Sequence, residues 1–149
     1  MKKAFLQTLA IFSCSLVFTM IANAHCEIPC GIYDDEMRVR MIDEHITTIE
    51  KSMNQIIDLE KAGMIHHSNQ LVRWIMNKEE HADQLQEIVS QYFMTQRIKI
   101  DAKDYEKKLS ILHHMLVYGM KCKQTTDLGN VESLRKLVEE FKALYFGKE

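Results

Sequence analysis

Proline and glycine are nearly missing from this chain, with one proline and five glycines in 149 residues. These residues punctuate turns, and a fold of many short strands needs more of them than this. Their scarcity favours a few long helices. A basic excess is also missing: Lys+Arg 19 stand against Asp+Glu 21, for a net charge of −2. Binding to nucleic acid normally leaves a basic stripe, so no nucleic-acid partner is expected. There is no internal repeat, low-complexity run or second domain, and the length suits one domain. Ten methionines are scattered along the chain. They read as adaptable core filler rather than as a copper-handling cluster.

One long apolar run is present, and it lies at the N-terminus. Lys2 and Lys3 precede it, Ala4 to Ile21 form it, and Ala22-Asn23-Ala24 is a small-x-small cleavage signature. The pattern is that of a secretory signal peptide spanning 1–24, cut after Ala24. The run is roughly long enough to be an uncleaved membrane anchor, but Gln7, Thr8, Ser13, Ser15 and Thr19 interrupt it. Cys14 follows Ile11-Phe12-Ser13 as in a lipoprotein site, yet the residues after it stay apolar. The expected mature protein is therefore exported, periplasmic or extracellular, with no stable membrane association after cleavage. The cut makes His25 the first residue and leaves Cys26, Cys30 and Cys122. An odd number of cysteines outside the cytoplasm is awkward for a pure disulfide framework.

Residues 34–149 read as the scaffold. Asp34 or Asp35 suits a helix N-terminus. Val39, Ile42, Ile46, Ile49, Met53 and Ile56 then recur at spacings of three and four, one apolar face of a helix that ends at Gly63. A second helix starts near Ser68 or Asn69 and carries Leu71, Ile75, Ala82, Leu85, Val89 and Tyr92 inward. A third opens around Asp101 with Tyr105, Leu109, Leu112, Leu116 and Met120 inward, weakened late by Gly119. Thr125 to Gly129 is a turn. A fourth starts near Asn130, with Val131, Leu134, Val138, Phe141 and Tyr145 on one side. Four such helices with short connections make an all-α, antiparallel four-helix bundle.

Bundles often hold di-iron centres, which need Glu-x-x-His on two helices. His45, His81, His113 and His114 all lack a glutamate three residues earlier. No Cys-x-x-Cys-His for covalent haem is present. The adjacent pairs His66-His67 and His113-His114 point about 100° apart on a helix and read as surface or half-buried. The run Lys78-Glu79-Glu80 reads as a solvated face.

The densest set of donors is residues 25–33, His-Cys-Glu-Ile-Pro-Cys-Gly-Ile-Tyr. After cleavage His25 offers an α-amine and an imidazole, and Cys26 a thiolate beside its own backbone amide. Amine, amide nitrogen and thiolate form two fused chelate rings. Cys30 brings a second thiolate, and Pro29 and Gly31 let the chain bend so that it completes a square plane, with the imidazole left for the axis. Square-planar nitrogen and sulfur suit nickel(II) or copper(II) better than zinc. The chemistry alone leaves two alternatives open: a Cys26–Cys30 disulfide and half of a zinc site.

The motif His-Cys-x-x-Pro-Cys-Gly-x-Tyr, carried by His25, Cys26, Pro29, Cys30, Gly31 and Tyr33, resembles the metal hook of nickel superoxide dismutases. That family also sets its hook before a four-helix bundle and assembles six subunits, so the resemblance implies a homohexamer. It implies one nickel ion per subunit, held by the His25 amine and axial imidazole, the Cys26 amide and thiolate, and the Cys30 thiolate. It implies that Tyr33 stands over the open face and limits access to small anions. Tyr92-Phe93 resembles the second tyrosine of the family, although the proline that usually follows is absent. The family holds its axial imidazole with a glutamate and an arginine; Glu44 lies near the first position and His81 near the second. Glu27 replaces a common aspartate. The implied activity is disproportionation of superoxide to oxygen and hydrogen peroxide. Two other readings use the same residues: a non-catalytic exported metal-binding protein, and a disulfide-stapled helical interaction module.

Overall fold

The computed structural model describes residues 31–63 and 67–147. His25, Cys26 and Cys30 lie outside the described residues. The chain divides into two units, Met1–Tyr33 and Asp34–Glu149. Of the first unit, residues 31–33 are described. Gly31 has φ 73°, a left-handed backbone that glycine adopts without steric cost. Ile32 and Tyr33 are exposed.

The second unit is an antiparallel bundle of four helices: α1 (Asp35–Ala62), α2 (Ser68–Glu87), α3 (Tyr105–Gln124) and α4 (Gly129–Phe146). α1 packs on α2, α2 on α3, α3 on α4, and α4 back on α1. Asp34 is the N-cap of α1; its Oδ1 accepts a hydrogen bond from the Met37 amide at 2.8 Å, satisfying an N–H that has no partner within the helix. The predicted stripe of α1 is buried at every position, Val39 to Ile56. From Val39 to Met53 it meets Leu85, Val89, Leu112, Met115, Leu134 and Val138 in one core. Burying each large apolar side chain contributes roughly 1.5–3 kcal/mol, and these residues supply most of the bundle's cohesion. Among the described residues no helix is long and apolar enough to cross a membrane.

The structure corrects the sequence reading in five places. Ile75 is 39% exposed. It lies one turn before Lys78, whose ammonium already meets the last carbonyls of α3, so this part of α2 runs past the end of α3. Met120 is also turned out. The buried stripe of α3 runs through Ile111, Leu112, Met115, Gly119 and Cys122. At Gly119 an added Cβ would lie 3.2 Å from Gln86 Cγ, so this glycine permits close approach of α2 rather than merely loosening α3. α3 begins at Tyr105, later than Asp101, because residues 99–104 form tight turns that end on Asp104 in a left-handed conformation, φ 56°. Finally, Lys78 is not on a solvated face. It is buried, and its Nζ donates to the carbonyls of Lys123 at 2.6 Å and Thr125 at 3.2 Å, which the end of α3 leaves without helical partners.

After Glu87 the helix widens. Ile88–Arg97 is π-helical, with each turn closed by an i→i+5 bond. The bond from Ile98 N to Phe93 O at 2.9 Å ends it, and the hydroxyl of Thr95 follows the same spacing in donating to Ser90 O. The winding matters for the side chains. Residues five apart stand about 140° apart on an α-helix, but nearly in line where the turn closes at i+5. Tyr92 and Arg97 are five apart, and the wide winding turns both toward the start of α1.

Candidate functional site

The start of α1, where the chain arrives from residues 25–33, is the most heavily bonded place among the described residues. Its centre is Asp35. Oδ1 accepts from the Tyr92 hydroxyl at 2.6 Å and from Arg97 Nε at 2.8 Å. Oδ2 accepts from Arg97 Nη2 at 2.9 Å and from the Tyr145 hydroxyl at 2.8 Å. One carboxylate thus ties together α1, the π-helical stretch and α4. Paired, fork-like bonding of guanidinium to carboxylate is the strong form of this contact. Phe93 closes the cluster from below, edge-on to Tyr92, Phe141 and Tyr145.

The electrostatics follow from that bonding. Burial alone pushes the Asp35 carboxyl up, but hydrogen bonds from Arg97, Tyr92 and Tyr145 together outweigh it and hold the group below its ordinary 3.8. Burial and the hydrogen bond to Asp35 raise the Tyr92 phenol well above its ordinary value and push Tyr145 up to about 12. Both phenols are therefore protonated at neutral pH. The bond to Asp35 raises Arg97 further above its already high value. Arg38, one turn into α1, lies with its guanidinium carbon 5.1 Å from the centre of the Tyr92 ring.

The residues singled out from the sequence are placed as follows. Tyr92 is buried in the Asp35 cluster. Tyr33 is 41% exposed and belongs to the first unit. Glu44 is exposed on α1. His81 meets His45, with the two Nδ1 atoms 2.9 Å apart and the rings tilted at 55°. At that distance one ring donates its N–H to the bare nitrogen of the other. Burial lowers the affinity of His45 for a second proton, and His81 beside it lowers it further. His113 and His114 are exposed. Cys122 is a free, buried thiol in the core, pushed up to about 11 by burial, which makes it a small apolar filler at neutral pH. Asp35 and Arg97 went unnoticed in the sequence as site residues. The one available signal was an acid at the first position of α1, which also suits an ordinary helix start.

Among the described residues no group of three or more His, Cys, Asp or Glu is placed to hold a metal ion. With His25 as the first residue, residues 25–30 would offer a set that fits one by its chemistry: two thiolates, an amine and a backbone amide are nitrogen and sulfur donors of the kind that suits square-planar nickel(II).

A family model described as nickel-containing superoxide dismutase matches residues 20–149. No curated protein and no solved structure matches the chain significantly. The matched span takes in the donor-rich segment and all four helices, so the chain belongs to the nickel-containing superoxide dismutase family.

Proposed function

We propose that this protein disproportionates superoxide: two superoxide anions and two protons give one dioxygen and one hydrogen peroxide. The observation that carries the reading is the family match over residues 20–149, with the motif His25-Cys26-x-x-Pro29-Cys30-Gly31-x-Tyr33 inside it. Cleavage after Ala24 during export would free the His25 amine. That amine, the Cys26 amide and thiolate and the Cys30 thiolate would then hold one nickel ion per subunit, with the His25 imidazole as a further ligand. When bound, the metal supplies a one-electron couple.

The remaining work falls to the protein. The thiolates must be deprotonated to bind, and coordination itself favours that form. Tyr33 and Tyr92 are the proposed site tyrosines, and Tyr33 is the one proposed to limit access to small anions. The Tyr92 hydroxyl donates to Asp35, and its oxygen meets the backbone N–H of Asp34. The proposal includes assembly of six subunits and an exported location, periplasmic or extracellular.

Replacing either thiolate tests the reading. Cys26→Ser and Cys30→Ser should each abolish nickel binding and superoxide turnover, while circular dichroism stays helical because the core is built from residues 39–141. Serine variants that keep nickel and turnover would defeat the assignment.

A further inference from the structure

The first half of α2 turns an apolar face to water. One side of this stretch faces α1: Asn77 donates to the Ser52 hydroxyl at 2.9 Å, and Lys51 lies over the Trp74 ring. The next side faces α3, whose last carbonyls accept from Lys78. With about 100° between successive residues, Val72, Ile75 and Met76 fall together on the remaining side. Val72 is 53% and Met76 65% exposed, and Ile75 stands beyond the end of α3. Single exposed apolar residues are ordinary. Three adjoining ones, at helical spacings of three and four, form a patch of the kind that contact surfaces show.

The charges around this face identify what covers it. Arg73 and Glu80 are both exposed. Glu80 accepts a hydrogen bond from Gln84 at 3.1 Å, and among the described residues neither it nor Arg73 has an oppositely charged partner. They are two turns apart on one flank of the apolar face, the cation toward the N-terminus and the anion toward the C-terminus. A surface with opposite charges at its two ends is complementary to its own copy turned end for end. In an antiparallel pair about a two-fold axis like flanks meet, and every contact is made twice. Centred on Ile75, such a pair stacks Val72, Ile75 and Met76 of both copies and brings each Arg73 within about one turn of the other copy's Glu80. A parallel pair keeps these flanks apart and forms neither ion pair.

We propose that this face of α2 binds a second copy of the chain, helix against antiparallel helix. The contact is argued from α2 alone and does not depend on the dismutase reading. Within the six-subunit assembly proposed above it would be one of the two-fold contacts. Three apolar residues and a flanking ion pair fall short of the roughly 20–30 residues a side that a stable interface uses. Acting alone, the contact is therefore weak and concentration-dependent.

Sedimentation velocity of the correctly processed chain, from micromolar to near-millimolar concentration, tests this. Wild type should associate as concentration rises, and salt should weaken the association. Met76→Glu and Arg73→Glu should each weaken it about tenfold. Helicity and melting temperature should not change, because both side chains are exposed. Adding Glu80→Arg to Arg73→Glu reverses both charges and should restore the wild-type association.

A wild type that stays monomeric throughout would overturn the proposal and leave the face to a lipid surface or an unlike protein. So would an oligomer whose dissociation constant Met76→Glu and Arg73→Glu leave alone. A double charge reversal that associates no better than Arg73→Glu would rule out the antiparallel pairing. The six-subunit assembly stands or falls separately. A hexamer indifferent to these residues defeats this inference and leaves that assembly intact, while a dimer that responds to them and grows no further does the reverse.

Discussion

Asp35 accepts bonds from three side chains that lie 57, 62 and 110 residues away in the sequence. Removing its charge while keeping its shape is therefore informative. Asp35→Asn leaves Arg97 without its counter-charge in a site where the two side chains are 26% and 16% exposed. The cost should be about 3 kcal/mol, the lower end of what breaking a buried pair costs. The helices should persist by circular dichroism, with the melting temperature lower by on the order of 10 °C. An unchanged melting temperature would show that the cluster does not hold the start of α1. The sequence marked Asp35 as a helix-start acid and Tyr145 as an inward residue, and both readings hold. It gave no hint that they meet, because periodicity reports which face a residue occupies and not which distant polar group its tip reaches.

At the scale of elements, helix ends were legible wherever capping chemistry is local. Asp34 caps α1 where it was expected; α2 also begins at Ser68 as expected, but its N-cap is His67 and makes no side-chain capping bond. The π-helical stretch was not legible, because its residues Ile88–Arg97 carry the same apolar spacing as an α-helix. Lys78 was hidden for another reason: its neighbours Glu79 and Glu80 are polar, while its own partners are backbone carbonyls of α3. The α1–α2 contact through His45 and His81 has a pH signature. Burial first, then His81, lowers the folded His45 below its ordinary 6.5, with Glu44 acting in the opposite sense. The unfolded chain therefore binds more protons as pH falls below about 6.5, so stability is full above that pH and declines below it. The decline should appear in melting temperatures between neutral pH and about pH 5, and His45→Gln should flatten it. Asp35 acts in a lower window, since its contribution is present above 3.8 and lost as pH falls through its depressed folded value. A His45→Gln protein with the wild-type profile above pH 5 would remove the pair as its cause.

The molecule as a whole joins two parts that the sequence displays in different ways. The bundle is written in a long-range repeat of apolar residues, and so its class and helix count were readable from α1 to α4. The proposed metal segment is written in residues 25–33, where the order of donor atoms carries the chemistry. The family match spans both parts. The central claim is that these nine residues, freed at His25 and loaded with nickel, consume superoxide. The direct measurement is stopped-flow decay of superoxide on protein whose intact mass confirms His25 as the first residue, before and after loading with nickel. Decay should accelerate in proportion to bound nickel and be negligible in the metal-free chain. Fully loaded, correctly processed protein that decays superoxide no faster than the metal-free chain would contradict the account.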